Sequence, residues 1–108
     1  MSESKFTPGP WSRDKYGNVV AADGSRVSLV GVSITCSGSP ERVAESEANT
    51  DLAVAAPDMI AALELAALQF RYYEEAHREK GTDDSMRKAE VNAGLAYDIE
   101  QVIAKATA

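Results

Sequence analysis

Residues 57–80 read PDMIAALELAALQFRYYEEAHREK, and the spacing inside this stretch decides the fold class. Met59, Leu63, Ala66, Phe70, Tyr73 and His77 follow one another at alternating steps of four and three residues. That is the heptad spacing of a helix with one apolar seam. Pro57 suits the first turn of a helix and Asp58 suits the positive end of its dipole. Gly81-Thr82-Asp83-Asp84 then stops this helix and caps another. The second helix presents Val91, Leu95, Ile99, Val102, Ile103 and Ala106 on one face. Two helices over about 58–80 and 85–105, joined by so short a loop, form an antiparallel hairpin. Upstream, Ser46 or Glu47 through Ala56 forms a short helix, which Pro57 stops or kinks.

The composition changes at Pro40. Five of the seven glycines lie in the first 38 residues, interleaved with Val19, Val20, Val27, Val30, Val32 and Ile34. Turn residues alternating with β-branched ones read as short antiparallel strands. Asp23-Gly24 predicts a tight hairpin between Val19–Ala22 and Arg26–Ile34, with both central residues at positive φ. A turn at Tyr16-Gly17-Asn18 pairs Trp11–Arg13 with Val19–Ala22 and completes a three-stranded meander. The apolar phase slips between Leu29 and Val30, which predicts a bulge at Gly31 or a strand covered on both faces. The fold class is therefore α+β in one domain, residues 1–108: a β-meander over 1–39, then a helical part over 41–108 with a short helix and the long hairpin.

Helix length adds an expectation of assembly. A helix of roughly 20–23 residues is on the order of 30–35 Å long, whereas a compact chain of this size has a radius of gyration of only about 13 Å. A small meander cannot cover two such helices, and Leu65, Leu68 and Tyr72 lie off the seam. A homo-oligomer, at least a dimer, is expected, with Met59, Leu63, Phe70, Tyr73, Leu95, Ile99 and Val102 at its interface. A monomer with frayed helix ends is the alternative.

Composition narrows the chemistry. With 108 residues, 44% of them hydrophobic and 26% charged, the chain has material for one domain. A single Cys36 and a single His77 exclude a disulfide framework and any metal site needing several such ligands. The net charge of -6 argues against direct DNA binding. That charge is unevenly placed: residues 1–40 carry four basic groups against three acidic, and residues 41–108 carry seven against fourteen. No run is long and apolar enough for a membrane span or a secretory signal, so a cytoplasmic location is expected. His77, among Glu74, Glu75, Arg78 and Glu79, reads as a solvated helix-end group. Cys36 has no base nearby in sequence, and no Gly-rich phosphate loop is present. No enzyme, catalytic residue, metal or cofactor is expected.

Binding is what remains. Trp11, Arg13, Tyr16 and Arg26 place aromatic and cationic groups on the turns of the meander, suited to stacking on a base and pairing with a phosphate. Arg42, with the amides opening a helix at Ser46–Asn49, suits an anion. The competing reading makes Trp11 a plug between sheet and helices, the arginines a solvated surface and Asn49 a buried amide.

Two segments carry a resemblance. TPGPW at Thr7–Trp11 and EANTDLAVAAPDMIAALE at Glu47–Glu64 are similar to a group of small uncharacterised proteins of bacteriophages and prophages, with Met59-Ile60 in place of the group's usual leucine pair. The resemblance covers about the first 64 residues and implies a dispensable phage accessory protein in the host bacterial cytoplasm. Many such proteins counter host defences. One route is to sequester a nucleotide immune messenger, a cyclic oligonucleotide or an ADP-ribose derivative, in pockets of a homo-oligomer, as phage sponge proteins do. A second is to occupy a host defence protein in the manner of an anti-CRISPR or a DNA mimic. A third is to serve as a structural or regulatory partner inside the phage. The basic and aromatic groups of the first forty residues favour the sponge. Arg71, Arg78, Lys80, Arg87 and Lys88, interleaved among the acids, break the continuous negative stripe a mimic needs.

Overall fold

A computed structural model describes residues 6–29 and 39–108. They divide into two compact units, Met1–Asp58 and Met59–Ala108.

In the first unit, β1 (Ser12–Arg13) pairs antiparallel with β2 (Val19–Val20), Ser12 opposite Val20 and Arg13 opposite Val19. The turn between them is closed by Gly17 N–H donating to the Asp14 carbonyl at 3.0 Å and Asp14 N–H donating to the Asn18 carbonyl at 2.9 Å. Gly17 has φ 85°. This is the three-residue hairpin loop, a turn followed by one left-handed residue. The same device recurs seven residues later. Gly24, at φ 86°, donates to the Ala21 carbonyl at 3.0 Å, and Ala21 N–H donates to Ser25 at 2.8 Å.

The expected two-residue turn at Asp23-Gly24 is thus one residue longer, and only the glycine has positive φ. Asp23 keeps ordinary backbone geometry and uses its carboxylate to accept from Ser25 N–H at 2.9 Å. The third strand of the meander is reduced to a Val20–Arg26 bridge, extended by Val27 N–H donating to Val19 at 3.0 Å. The rest of that expected strand, Val30 to Ile34 with the bulge at Gly31, lies outside the described residues, as does Cys36.

Helix α1 spans Pro40–Lys80. Ser39 caps it, its hydroxyl accepting from Arg42 N–H at 3.3 Å, and Pro40 occupies the first turn, where its missing N–H costs nothing. The expected short helix and the helix from about residue 58 are one, because α1 continues through Pro57. A proline forfeits a single backbone bond, and the Ala-, Leu- and Glu-rich turns on both sides carry the helix across it. The ring is buried, and a Cβ placed on Gly9 would stand 2.6 Å from the Pro57 Cβ. Only a glycine lets the TPGPW segment lie this close, and Trp11 Nε1 ties the segment to itself by donating to the Thr7 carbonyl at 3.0 Å.

The second unit holds the C-terminal part of α1 and helix α2 (Asp83–Ala106), as an antiparallel hairpin. Gly81, at φ 71°, ends α1, and the Thr82 hydroxyl accepts from Ser85 N–H at 3.1 Å to cap α2. Ala89 and Ala96 are 0% exposed. Around them the buried and half-buried positions of α2 run Ser85, Ala89, Asn92, Ala93, Ala96, Ile99, Glu100 and Ile103, and those of α1 in this unit run Ile60, Leu63, Ala66, Ala67, Phe70, Arg71, Glu74 and His77.

Of the expected α1 seam, Leu63, Ala66, Phe70 and His77 are half-buried, while Met59 and Tyr73 are exposed. On α2, Val91, Leu95 and Val102 are exposed too. Alanines hold the most buried positions of the contact, with Leu63, Phe70, Ile99 and Ile103 half-buried beside them.

Gly9→Ala and Gly24→Ala separate these two uses of glycine. Gly24→Ala meets open space but must hold positive φ, at about 1–2 kcal/mol. Gly9→Ala is expected to shift the Trp11 emission and its melting transition, as the segment lifts from Pro57. Thermal melts followed by tryptophan fluorescence check both.

Candidate functional site

The cationic and aromatic groups of the first unit are held by local structure. Arg13 Nη1 donates to Glu47 at 2.7 Å and to Asp51 at 3.4 Å, and its Nε donates to the Gly17 carbonyl at 3.3 Å. Its guanidinium therefore clamps the hairpin to α1, and a phosphate there would compete with two carboxylates. Asp14 sets the loop beneath it, accepting from Tyr16 N–H and Asn18 N–H at 2.9 Å each. Those bonds, the Asn18 backbone first, hold the Asp14 carboxyl below its ordinary range.

Tyr16 is 78% exposed at the hairpin tip, with Lys15 Nζ 5.1 Å from its ring centroid. Arg26 is exposed. Arg42 lies in the first turn of α1, and Asn49 is exposed rather than a buried amide. Because α1 begins at Pro40, Ser46–Asn49 are interior to the helix and offer no free amides to an anion. Trp11 is half-buried, its ring N–H given to Thr7.

In the second unit the two flanks of the hairpin differ. One is an ion-pair ladder. Arg71 grips Glu100 through one guanidinium edge, Nη2 donating at 2.6 Å and Nε at 3.1 Å, and its Nη1 donates to Glu74 at 2.9 Å. Arg78 binds Glu74 at 2.9 Å and Glu90 at 3.3 Å. The two arginines, Arg71 first, hold the Glu74 carboxyl below its usual range, and Arg71 does the same for Glu100. The groups are partly open to water, so the ladder orients the helices more than it stabilises them.

The other flank is apolar. Met59, Tyr73, Val91, Leu95 and Val102 are between 40% and 62% exposed there. Of the residues expected at an oligomer interface, these include Met59, Tyr73, Leu95 and Val102, while Leu63, Phe70 and Ile99 are half-buried.

At the loop end of the apolar flank, His77, Arg87, Lys88, Val91 and Asn92 line an open depression of about 250 Å³. His77 Nδ1 is buried without a hydrogen-bond partner, so the residue is not the solvated helix-end group its sequence neighbours imply. Asp84 pairs with Lys88 at 3.1 Å and with Arg87 at 3.6 Å, and these cations hold its carboxyl below the ordinary range, Lys88 first. The two cations of this concavity can accept an anion. The pointer in the sequence is the turn itself. Folding the chain back at Gly81-Thr82 brings residues about equally distant from it together, His77 with Lys88.

The family described as Salmonella phage P22 protein Y8K6 matches this chain over residues 1–108. No curated protein matches, and no solved structure matches. Among the described residues, no helix is long and apolar enough to cross a membrane.

The depressed carboxyls fix the pH dependence of stability. Asp14, Glu47, Glu74, Asp84 and Glu100 all have lowered folded values. Their contribution is complete above the unfolded carboxylate values of about 4 and is lost as pH falls through the lower folded ones. Melting temperatures followed by circular dichroism are expected to be flat from neutral pH to about 5 and to fall below about 4.

Proposed function

The chain belongs to the Salmonella phage P22 protein Y8K6 family, and from that premise we propose that it is a non-enzymatic phage accessory protein acting in the host bacterial cytoplasm. It counters host defence by holding a nucleotide immune messenger, a cyclic oligonucleotide or an ADP-ribose derivative, within a homo-oligomer. The observation that carries this reading is the open depression lined by His77, Arg87, Lys88, Val91 and Asn92. It supplies charge for a phosphoryl group and an apolar wall at Val91 for a base or ribose.

At about 250 Å³ the depression is smaller than a typical small-molecule pocket of about 300–1,000 Å³. One subunit therefore takes part of a nucleotide, and an assembly supplies the rest. Arg13 supports the reading less than its sequence position implies, because Glu47 and Asp51 occupy it. Tyr16, Arg26 and Arg42 remain open to a ligand.

A protein-binding inhibitor of a host defence complex is the second reading. Leu65, Leu68 and Tyr72, 65–70% exposed along the outer face of α1, favour it.

Native mass spectrometry of the protein with a panel of cyclic oligonucleotides and ADP-ribose derivatives tests the proposal. An assembly retaining a whole number of nucleotides is expected, and Arg87→Glu should keep the assembly while losing at least about tenfold in retained ligand, the size of one lost charge-assisted contact. An assembly that retains nothing from the panel, or an Arg87→Glu variant that binds as before, would overturn it.

A further inference from the structure

We propose that the apolar flank of the helical hairpin is the face on which a second copy of this chain docks, giving a four-helix dimer. The inference rests on the oligomeric part of the functional reading and not on its ligand.

Helix geometry puts Met59 and Tyr73 of α1 and Val91, Leu95 and Val102 of α2 on one side of the hairpin. At about 100° per residue, Met59 and Tyr73 turn to one side of the buried line of α1, with half-buried Ala66, Phe70 and His77 at its edge on that side, and Arg71 and Arg78 turn to the other. On α2, Lys88, Val91, Leu95 and Val102 turn to one side, with half-buried Ile99 at the edge, and Glu100 to the other. In an antiparallel pair, offsets of the same sense fall on the same side of the hairpin. Two observations agree: His77 shares a depression with Lys88 and Val91, and Arg71 binds Glu100 on the opposite side.

Size and charge name the occupant. The flank runs from Met59 to His77 on α1 and from Lys88 to Ala106 on α2, about 28 Å at 1.5 Å per residue. With two helices set side by side at 8–10 Å it presents roughly 550 Å² per protomer, or about 1,100 Å² for a pair, enough for a specific interface. Residues 59–108 carry six basic groups against nine acidic, so copies meeting through charged faces repel. Along the flank the exposed side chains of Met59, Tyr73, Val91, Leu95 and Val102 carry no charge, and at its loop end Asp84 lies 3.1 Å from Lys88 and 3.6 Å from Arg87. An apolar, locally neutral surface is self-complementary, which a two-fold dimer requires.

The test is sedimentation velocity without nucleotide, on the wild type and two double variants. The wild type is expected at twice the mass of the 11.5 kDa chain. Leu95→Glu with Val102→Glu should sediment as a monomer with its helical circular dichroism intact, since both side chains are already exposed in a single copy. Leu65→Glu with Tyr72→Glu, on the outer face of α1, should remain dimeric. A monomeric wild type would overturn the proposal, and so would a flank variant that stays dimeric. If the flank variant loses its helix signal, the wild-type mass decides alone. A dimer that ignores every nucleotide leaves this inference standing and removes the ligand reading, whereas a monomer that retains nucleotide does the reverse.

Discussion

The most deeply buried positions of the helical hairpin are alanines, and the character of the helical unit follows from that choice. Ala67, Ala89 and Ala96 are buried where the helices meet. Alanines bury little apolar area, so Met59, Tyr73, Val91, Leu95 and Val102 remain exposed on one flank, while Arg71 and Arg78 reach across the other to Glu100 and Glu90. The magnitudes differ. Fully burying a leucine or valine is worth about 1.5–3 kcal/mol, whereas an exposed ion pair contributes roughly 0–1 kcal/mol. Covering the apolar flank is the larger of the two unspent terms, and the ladder serves to fix which flank faces outward.

The first unit depends on a different close contact. Gly9 rests on Pro57, and Arg13 reaches Glu47. The two segments that carry the family resemblance, TPGPW and the helix containing Glu47 and Pro57, are in this structure the two sides of one packing arrangement. The glycine is needed because no Cβ fits there. The proline fills a buried position on a helix that survives the loss of one backbone bond.

Much of this was legible in the sequence because it rests on local chemistry. The turn glycines, the Thr82 cap, the β1–β2 pairing and the helical hairpin all follow from residue types at fixed offsets. Which seam residues one chain covers by itself was not legible, because apolarity alone does not separate a contact inside the hairpin from one outside it: Leu63, Ala66, Phe70 and His77 are half-buried, whereas Met59 and Tyr73, expected at an oligomer interface, are exposed. Pro57 misled for a related reason: a propensity counts the lost bond and not the neighbouring turns. At the candidate site, Arg13 read as free because its carboxylate partners are 34 and 38 positions away. His77 read as solvated because its sequence neighbours are charged, whereas its spatial neighbours come from α2.

Adjacent tyrosines supply the sharpest test of the two-sided hairpin. Tyr72 lies on the outer face of α1 and Tyr73 on the apolar flank, their ring centroids 5.8 Å apart. Nitration of the native protein with tetranitromethane, followed by peptide mapping, reads the two separately. If a second copy covers the flank, Tyr72 reacts many times faster than Tyr73. Rates that simply follow their exposures in a single copy, 65% and 44%, would contradict the account.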